Sequence, residues 1–214
     1  MHPGRKKKAF SDLREQEREL RKNIIIDAAE KVFAEKPFNR VNMREIAQEA
    51  GISPALIYRY FPDQQYLFVE AFLRGTRRLI EIYAQYLDNS GEISIEDSVQ
   101  QFINYLTEHE HYFKMMTQFM LDGSLNMELL DKLNSIERSM LDQFDLLFRK
   151  LGVTGNPRMI SHTFFACLNG ILITFRQHPG RSSEEVQEHM NHIGRIIARM
   201  FQQIITQGDT GIFE

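Results

Sequence analysis

The segment NMREIAQEAGISPALIYRYF, residues 42–61, decides the fold of the N-terminal part of this chain. Gly51 can adopt the left-handed backbone with which a helix ends in a tight turn. Ser53 and Pro54 follow as the N-cap and the first residue of a new helix. The segment therefore predicts two short helices joined by a glycine turn, which is a helix-turn-helix.

The residues around this turn indicate which side chains are buried. Asn42 can cap the first helix, and Glu45 stands three residues later, at the spacing of a capping box. The second helix has less than three turns and needs packing to be stable, so we expect Leu56, Ile57 and Phe61 to point inward. Arg59, which is flanked by two tyrosines, then remains on the outer face.

Such a pattern is typical of a helix that enters the major groove of DNA, with its first residues at base edges and its later ones at phosphates. An ordinary helical hairpin with half-buried tyrosines is the alternative, because the same local pattern also occurs without DNA binding. The residues on both sides of the motif favour the first interpretation.

Residues 20–72 resemble the DNA-binding domain of the TetR family of bacterial transcriptional regulators. The resemblance is carried by the Ala28-Ala29 pair, Val32-Phe33, the Ile46-Ala47 pair, the Ala-Gly-Ile-Ser turn, the Leu-Ile-Tyr step and Tyr60-Phe61. It implies an all-α protein in which an N-terminal three-helix DNA-binding domain precedes a larger helical domain for ligand binding and dimerisation. We therefore expect a basic, flexible extension over 1–18, the DNA-binding domain over 19–79 and the effector-binding domain over 80–214.

The resemblance also assigns the DNA contacts. Arg44 matches the position of a side chain that reaches a base edge. Gln64 departs from the family, in which a lysine usually meets a phosphate, so we expect a weaker contact there. The complete set of expected DNA-binding residues is Arg44, Ser53, Pro54, Ala55, Tyr58, Arg59, Tyr60 and Gln64.

The charge is divided unevenly along the chain. Residues 1–62 hold 13 Lys and Arg against 9 Asp and Glu, a net of +4, whereas residues 63–214 hold 13 against 20, a net of −7. A basic head on an acidic body is the electrostatic pattern of a DNA-binding module, although ordinary scatter can produce the same split. The basic run at residues 5–8 indicates either an arm that contacts DNA or a solubilising tail.

Beyond residue 63, helical stretches are separated by breakers at 89–91, 122–123, 152–157 and 179–180. Apolar residues repeat at helical spacing in the last two helices, which predicts either packing within one domain or a contact between two copies. The dimer is what the resemblance implies, and two reading heads on a two-fold axis suit a palindromic operator. The expected interface residues are Leu168, Ile171, Leu172, Phe175, Met190, Ile193, Ile197 and Met200.

The middle helices are rich in aromatic and methionine side chains. These suit a cavity for an apolar effector such as a fatty acyl compound, an aromatic compound or a mixed set of drugs, with ordinary core packing as the alternative. Asn169 is a polar candidate to orient such a ligand. The expected effector-binding residues are Phe102, Tyr105, Phe113, Met116, Phe119, Met120, Phe144, Phe148, Phe165 and Asn169.

Several classes of function are disfavoured. The chain lacks a phosphate-cradling glycine loop, a nucleophile elbow and zinc-ligand spacing, so we expect no enzyme, no cofactor and no metal site. The lone Cys167 has no partner for an internal disulfide. No secretion signal and no uninterrupted apolar run of bilayer length are visible, so a cytoplasmic protein without a membrane partner is expected.

These observations lead to one hypothesis. The chain is expected to form a homodimeric, ligand-responsive transcriptional regulator that binds double-stranded operator DNA and is released by a small apolar effector. Repression is the first expectation, and the sequence leaves activation open. A helical enzyme and a protein-binding adaptor are the alternatives from other classes.

Overall fold

The computed structural model describes residues 3–89, 91, 93–122, 127–176 and 179–207, with side chains for all of these except 3–11, 89, 118–122 and 129. Within these residues the protein is helical and contains no strand, so the predicted all-α class is confirmed. The helices are α1 (Pro3–Glu35), α2 (Met43–Glu49), α3 (Pro54–Ile57), α4 (Gln64–Asn89), α5 (Ile95–Glu108), α6 (Glu110–Asp122), α7 (Met127–Lys150), α8 (Arg158–Phe175) and α9 (Ser183–Gln207), with a short 3-10 helix at Phe38–Arg40.

The chain divides into two compact units. The first unit consists of Met1–Leu73 and Lys114–Leu129, and the second of Arg74–Phe113 and Leu130–Glu214. The boundary therefore falls inside α4, earlier than the residue 79 expected from the sequence. A second boundary falls inside α6, where the chain passes from the second unit to the first at Lys114, and no local pattern indicates it.

The first helix is longer than the sequence predicted. α1 is helical from Pro3, so it includes most of the segment that was expected to be a flexible extension. Residues 12–20 are exposed, whereas Ile25, Ala29 and Phe33 are buried. The second half of α1 therefore contributes to a core, and residues 12–20 do not.

Buried apolar residues from all four N-terminal helices meet in the core of the first unit. The aromatic rings of Phe33 and Phe38 both pack edge-on against Phe68, with centroids 5.1 and 5.2 Å apart. Edge-to-face pairs of this kind contribute about 0.5–1.5 kcal/mol beyond the burial of their area. The core is completed by Ile25, Ala29, Ile46, Ala47, Ile57, Phe61 and Leu67, all at most 3% exposed.

Asn42 caps α2 as expected. Its side-chain oxygen accepts hydrogen bonds from the backbone N–H groups of Arg44 and Glu45, at 3.0 and 3.1 Å. The second half of the predicted capping box is replaced by another contact, because the Glu45 carboxylate accepts a hydrogen bond from Lys36 Nζ at 3.0 Å. An exposed ion pair to Lys36, two residues before the 3-10 helix, thus replaces the reciprocal bond to Asn42.

Gly51 ends α2 in the left-handed conformation, with φ at +66°. The Ile52 N–H donates to Ala47 O at 2.9 Å and the Gly51 N–H donates to Gln48 O at 3.1 Å. This pair of bonds is the Schellman motif, which satisfies the last carbonyls of a helix. The turn positions Ser53, whose hydroxyl oxygen caps α3 by accepting from the Leu56 N–H at 3.3 Å.

Aromatic side chains from α4, α5, α7 and α8 fill the core of the second unit. The ring of Phe144 lies at its centre, with centroid distances of 5.3 Å to Tyr83 and 5.2 Å to Phe164. Helix α9 packs closely on α5, since a Cβ at Gly194 would lie 2.7 Å from Val99 Cγ1. The close packing explains why a glycine occupies the middle of this long helix.

α8 is the one described helix whose length and composition would allow it to cross a membrane. No such run was expected from the sequence. Phe164, Leu168 and Leu172 of this helix are fully buried in the second unit. The core helix of a globular domain passes the same test of length and composition.

Substitution of Gly51 tests the turn. We expect Gly51→Ala to lower the free energy of unfolding by about 1–2 kcal/mol, because an L-residue is strained at positive φ. Space is not the cause, since a Cβ at Gly51 would meet no atom within 4 Å. The measurement is urea unfolding followed by circular dichroism.

Gly51→Asn is the matched control, because asparagine tolerates the left-handed region better than alanine does. We expect it to retain more of the stability. Equal stability of the wild type and Gly51→Ala would contradict the assigned turn conformation.

Candidate nucleic-acid interface and ligand site

One side of α3 is buried in the core of the first unit, and the other side is exposed and forms a small surface. The α-helix covers one turn and continues to Phe61 in tighter turns, with the Tyr60 N–H donating to Ile57 O at 3.0 Å. Ile57 and Phe61 are buried, as the sequence predicted, whereas Leu56 is only half-buried. The expected DNA-contacting residues are exposed or half-buried: Ser53, Pro54, Ala55, Tyr58 and Arg59 are exposed, and Tyr60 is half-buried.

Arginines surround this surface. Arg44 is exposed in the first turn of α2, and neither Arg44 nor Arg59 is paired with another side chain among the described residues. Arg40, at the end of the 3-10 helix, is exposed in the same way. Arg40 was not among the residues expected from the sequence, although its position two residues before the Asn42 cap places it next to the N-terminus of α2.

Tyr60 lies at one end of this surface, on the side next to α1. Its hydroxyl forms a hydrogen bond with the guanidinium of Arg21, which also binds Glu17, and these contacts raise the pKa of Arg21 above its usual value, with the Glu17 bond as the larger cause. Between the two elements lies a cleft of about 100 Å³, lined by Arg21, Ile24, Ile25, Ile52, Leu56 and Tyr60. Tyr60 is therefore oriented from behind by the first helix.

Gln64 has a partner within the protein. Its side-chain N–H donates to the backbone carbonyl of Phe38 in the 3-10 helix. The amide thus ties the start of α4 to the segment that leads into α2. A lysine could not replace this contact without also adding a charge, which gives the glutamine a structural explanation that the sequence did not indicate.

Three of the expected effector-binding residues come together in the second unit. The ring centroids of Phe102, Phe144 and Phe165 lie 6.1–6.3 Å from one another. Phe148 lies on another part of the same core, where its ring packs 5.4 Å from Phe164. Phe165 is half-buried and the other three are fully buried, so the cluster has one partly open side.

Asn169 lies one helical turn after Phe165 and is 5% exposed. Its side-chain N–H donates to Phe165 O at 2.8 Å, while its carbonyl oxygen Oδ1 is buried without a hydrogen-bond partner. A buried acceptor without a partner costs about 1–3 kcal/mol. A ligand that donates a hydrogen bond to Oδ1 would explain why a polar residue stands beside an aromatic cluster.

The remaining effector candidates are distributed differently. Tyr105 donates a hydrogen bond to Gly75 O at 2.6 Å and stacks on His109, and the Phe113 ring holds the guanidinium of Arg176 at 4.2 Å. Met116 is buried in the first unit rather than in the second. The side chains of Phe119 and Met120 lie outside the described residues.

The expected dimer residues separate into two groups. Leu168, Ile171, Leu172 and Met190 are at most 3% exposed, so these four pack inside their own protomer and their assignment to the interface is corrected. Burial against α5 and between α8 and α9 is the reason, because the inner side of each apolar stripe faces the core. Phe175, Ile193 and Ile197 are half-buried and Met200 is exposed, and they remain candidates.

The outer faces of α8 and α9 carry further apolar residues that were not expected from the sequence. Met159 and Ile173 on α8 and Ile196 on α9 are 47–55% exposed. Exposed Ala166 and Gly170 lie between the first two along the same side of α8. The i, i+7, i+11, i+14 spacing of these residues is the signal that could have identified this face.

No cluster of three or more His, Cys, Asp or Glu side chains that could hold a metal occurs among the described residues. Cys167 is half-buried, and burial raises the pKa of its thiol. A raised thiol pKa disfavours the reactive thiolate.

Comparison with known proteins adds independent findings. Residues 25–71 match the profile of the family described as bacterial regulatory proteins, tetR family. An uncharacterized HTH-type transcriptional regulator of Haemophilus influenzae is 31% identical over 111 residues, 50% of this chain and 54% of that protein. The fatty acid metabolism regulator protein of Bacillus subtilis is 28% identical over 124 residues, 56% of this chain and 62% of that protein. The chain thus matches little more than half the length of these relatives.

Solved structures show the same fold. The fatty acid degradation regulator FadR from Bacillus halodurans has a TM-score of 0.69 at 20% identity and covers 83% of this chain and 94% of that one. FadR from Bacillus subtilis, solved in complex with stearoyl-CoA, has a TM-score of 0.67 at 20% identity, with 82% and 96% covered.

The relatives and structural neighbours named above are described as regulators and not as enzymes. The helix-turn-helix at residues 42–61 lies within the matched residues 25–71, so this segment of the chain is similar to the DNA-binding domain of the bacterial regulatory proteins of the tetR family.

Proposed function

We propose that this protein is a repressor that binds a palindromic operator as a homodimer in the cytoplasm and leaves it when a small apolar effector binds. The observation that carries the proposal is the combination in the first unit of a fully buried Ile57 with the exposed Arg44, Tyr58 and Arg59. A surface that rests on a buried residue and offers unpaired arginines and Tyr58 to the outside is suited to an anionic groove.

The residues divide the work by their position on α2 and α3. α3 enters the major groove with Ser53, Pro54 and Ala55 at its tip, close to base edges. Arg44 from α2 reaches a guanine, whose O6 and N7 atoms accept the two parallel N–H bonds of a guanidinium. Tyr58, Arg59 and Tyr60 bind phosphates, and the Arg21 bond keeps Tyr60 in place.

Gln64 contributes to this interface indirectly. Its N–H is bound to Phe38 O, so it holds the path of the chain into α2. We propose that any phosphate contact of Gln64 is weak, because the side chain has no charge and one of its two N–H donors is occupied. Steering by a charge at this position is therefore absent.

Two arginine variants separate base reading from backbone binding. Arg44→Ala is expected to cost about 1–3 kcal/mol on the selected operator and to relax the preference at one base pair. Arg59→Ala is expected to weaken binding evenly across sequences and to reduce the dependence of affinity on salt. The measurement is fluorescence anisotropy at fixed salt, with a duplex selected from a random pool and duplexes mutated at single positions.

If Arg44→Ala binds each of these duplexes as the wild type does, Arg44 does not read a base. If the wild-type protein shows no salt-dependent binding to any selected duplex, the proposed function fails.

The outer faces of α8 and α9 support the homodimer. Four exposed apolar residues, Met159, Ile173, Ile196 and Met200, line these faces, and Gly170 leaves open space where a second helix can approach. Pairing the two faces of one protomer with those of a second forms a four-helix contact. A two-fold axis then presents two reading heads to two half-sites.

A charge on the outer face tests the dimer. Met200→Glu is expected to shift the protein toward the monomer, because a carboxylate at a dry interface loses its hydration. Leu146→Glu is the control, since Leu146 is also an exposed apolar residue but lies on α7. Sedimentation velocity measures both, and a Met200→Glu protein that stays dimeric at the concentration at which the control is dimeric contradicts the interface.

The effector is proposed to be a compound with a long acyl chain. The support is the open side of the Phe102, Phe144 and Phe165 cluster with the unpaired Asn169 oxygen beside it. The Bacillus subtilis FadR, a neighbour in fold, was solved with stearoyl-CoA. If the rings of Phe102, Phe144 and Phe165 move apart, an acyl chain can lie between them. A hydrogen-bond donor on the ligand can then pair with Asn169 Oδ1.

The Asn169→Leu variant tests this site. Removal of an unpaired buried acceptor is expected to leave the free energy of unfolding unchanged or to raise it. The same change should weaken release of the operator by stearoyl-CoA about tenfold, because the variant cannot form one hydrogen bond to the ligand, worth about 0.5–1.5 kcal/mol. Thermal unfolding and displacement of labelled operator measure the two effects, with coenzyme A alone as the ligand control.

A variant that is less stable than the wild type and releases DNA normally would show that Asn169 has a structural role only.

The proposed switch between the DNA-bound and the released arrangement needs only a small difference in binding free energy. A ligand that binds one arrangement of the two heads more tightly by about 1–3 kcal/mol changes operator occupancy usefully.

A further inference from the structure

Arginines line one side of the exposed part of α1, and Glu17 lies at the edge of that side. Arg14, Arg18 and Arg21 are spaced by four and three residues, so they lie on one side of the helix. Ile25, four residues further on, continues the same side into the buried core. Asp12 and Glu19 lie on the opposite side at this spacing.

Some of the cations along this side of α1 are ion-paired and others are not. Arg21 pairs with Glu17 at 2.6 Å, and Lys22, beside the stripe, pairs with Glu19 at 2.7 Å. Arg14 and Arg18 are exposed and make no ion pair with any side chain among the described residues. Two guanidinium groups therefore point away from the protein with their charge available to a partner.

Arg21 connects this stripe to the reading surface. Its guanidinium bonds to Tyr60 at the end of α3, and the cleft between α1 and the turn is lined by both residues. The stripe thus begins at the reading surface and leads away from it along α1. With a rise of about 1.5 Å per residue, the seven residues from Arg21 to Arg14 extend about 10 Å.

We propose that Arg14 and Arg18 bind DNA phosphates that flank the major-groove site, so that the helical extension of α1 lengthens the footprint of each protomer. This inference rests on the proposed DNA-binding function and adds a second contact region to it. About 10 Å corresponds to about three base-pair steps of 3.4 Å along one strand. Contacts of this kind strengthen binding without reading sequence.

The exposed apolar residues of the extension, Leu13, Leu20 and Ile24, lie on a different side from the arginines. They leave the basic side unobstructed. Charge complementarity favours a polyanion as the partner of that side. Because Arg21 and Tyr60 line the same cleft, the duplex bound at the reading surface is the polyanion that this side would meet.

The test compares two charge-matched variants. R14Q/R18Q removes the two free cations of α1, and R138Q/R181Q removes two exposed cations of the second unit. Glutamine keeps a helix propensity close to that of arginine, so α1 is expected to persist, which circular dichroism checks. The probes are a duplex selected from a random pool by the wild-type protein and the same duplex extended at both ends by about one helical turn of 10 base pairs.

The wild type and R138Q/R181Q are expected to bind the extended duplex more tightly than the short one, and R14Q/R18Q is expected to bind both equally. The slope of log affinity against log salt on the extended duplex should fall by about 0.9 for each phosphate that the variant no longer neutralises, which is about 2 per protomer for R14Q/R18Q. Its preference among single-base mutants should match that of the wild type.

Equal slopes for R14Q/R18Q and the wild type on the extended duplex would overturn the inference, and so would a wild type that gains no affinity from the flanks. In either case Arg44→Ala still relaxes sequence preference if the proposed function is correct, so the two failures are distinguishable. A wild type that binds no duplex ends both. If R14Q/R18Q and R138Q/R181Q reduce the salt dependence by the same amount, the effect belongs to net charge and the inference is also wrong.

Discussion

Burial of Ile57 and Phe61 holds a single helical turn, Pro54–Ile57, in place, and the whole candidate interface depends on that anchorage. A helix of this length is not stable in water by itself, because the first turn costs more conformational freedom than its few hydrogen bonds return. α1 and α2 supply the apolar floor on which it rests. The exposed residues of α3 are consequently held in position by buried residues and are not themselves part of the core.

Capping hydrogen bonds at the helix ends also stabilise the two short helices. Asn42, Gly51 and Ser53 each satisfy backbone groups at a helix end, so the two short helices meet at a defined angle without a long connection. Side chains that are not needed for this purpose, Arg44 and Arg59, stay free of partners among the described residues. The separation of structural from binding groups leaves the cations available to an anionic ligand.

The second unit differs, because its tightly packed aromatic core lies beside buried polar atoms without a hydrogen-bond partner, among them Asn169 Oδ1 and Ser161 Oγ. Phe144 is enclosed by rings, whereas Asn169 Oδ1 has no donor. A core selected for stability alone would have an apolar residue there. An unsatisfied acceptor beside a half-buried ring has a cost in stability that binding of a ligand would offset, and stability and response to a ligand would then oppose each other at this position.

Sequence alone determined the fold class and the helix-turn-helix with its caps, because capping and turn residues act within a few positions of themselves. The breakers near 90, 123, 152–157 and 180 also coincide with the ends of helices. The break at His109 has no glycine or proline to announce it, and there the backbone turns at φ −105° and ψ 65°.

Only the tertiary structure decided which side of each apolar stripe faces the core. Leu168 and Met190 share helices with Ile173 and Met200, and periodicity assigns all four to apolar faces, but only packing shows that the first two are buried and the last two are exposed. Gln64 is similar, since its bond to Phe38 joins residues 26 positions apart. Contacts between distant segments have no local signature, because they depend on where other helices lie.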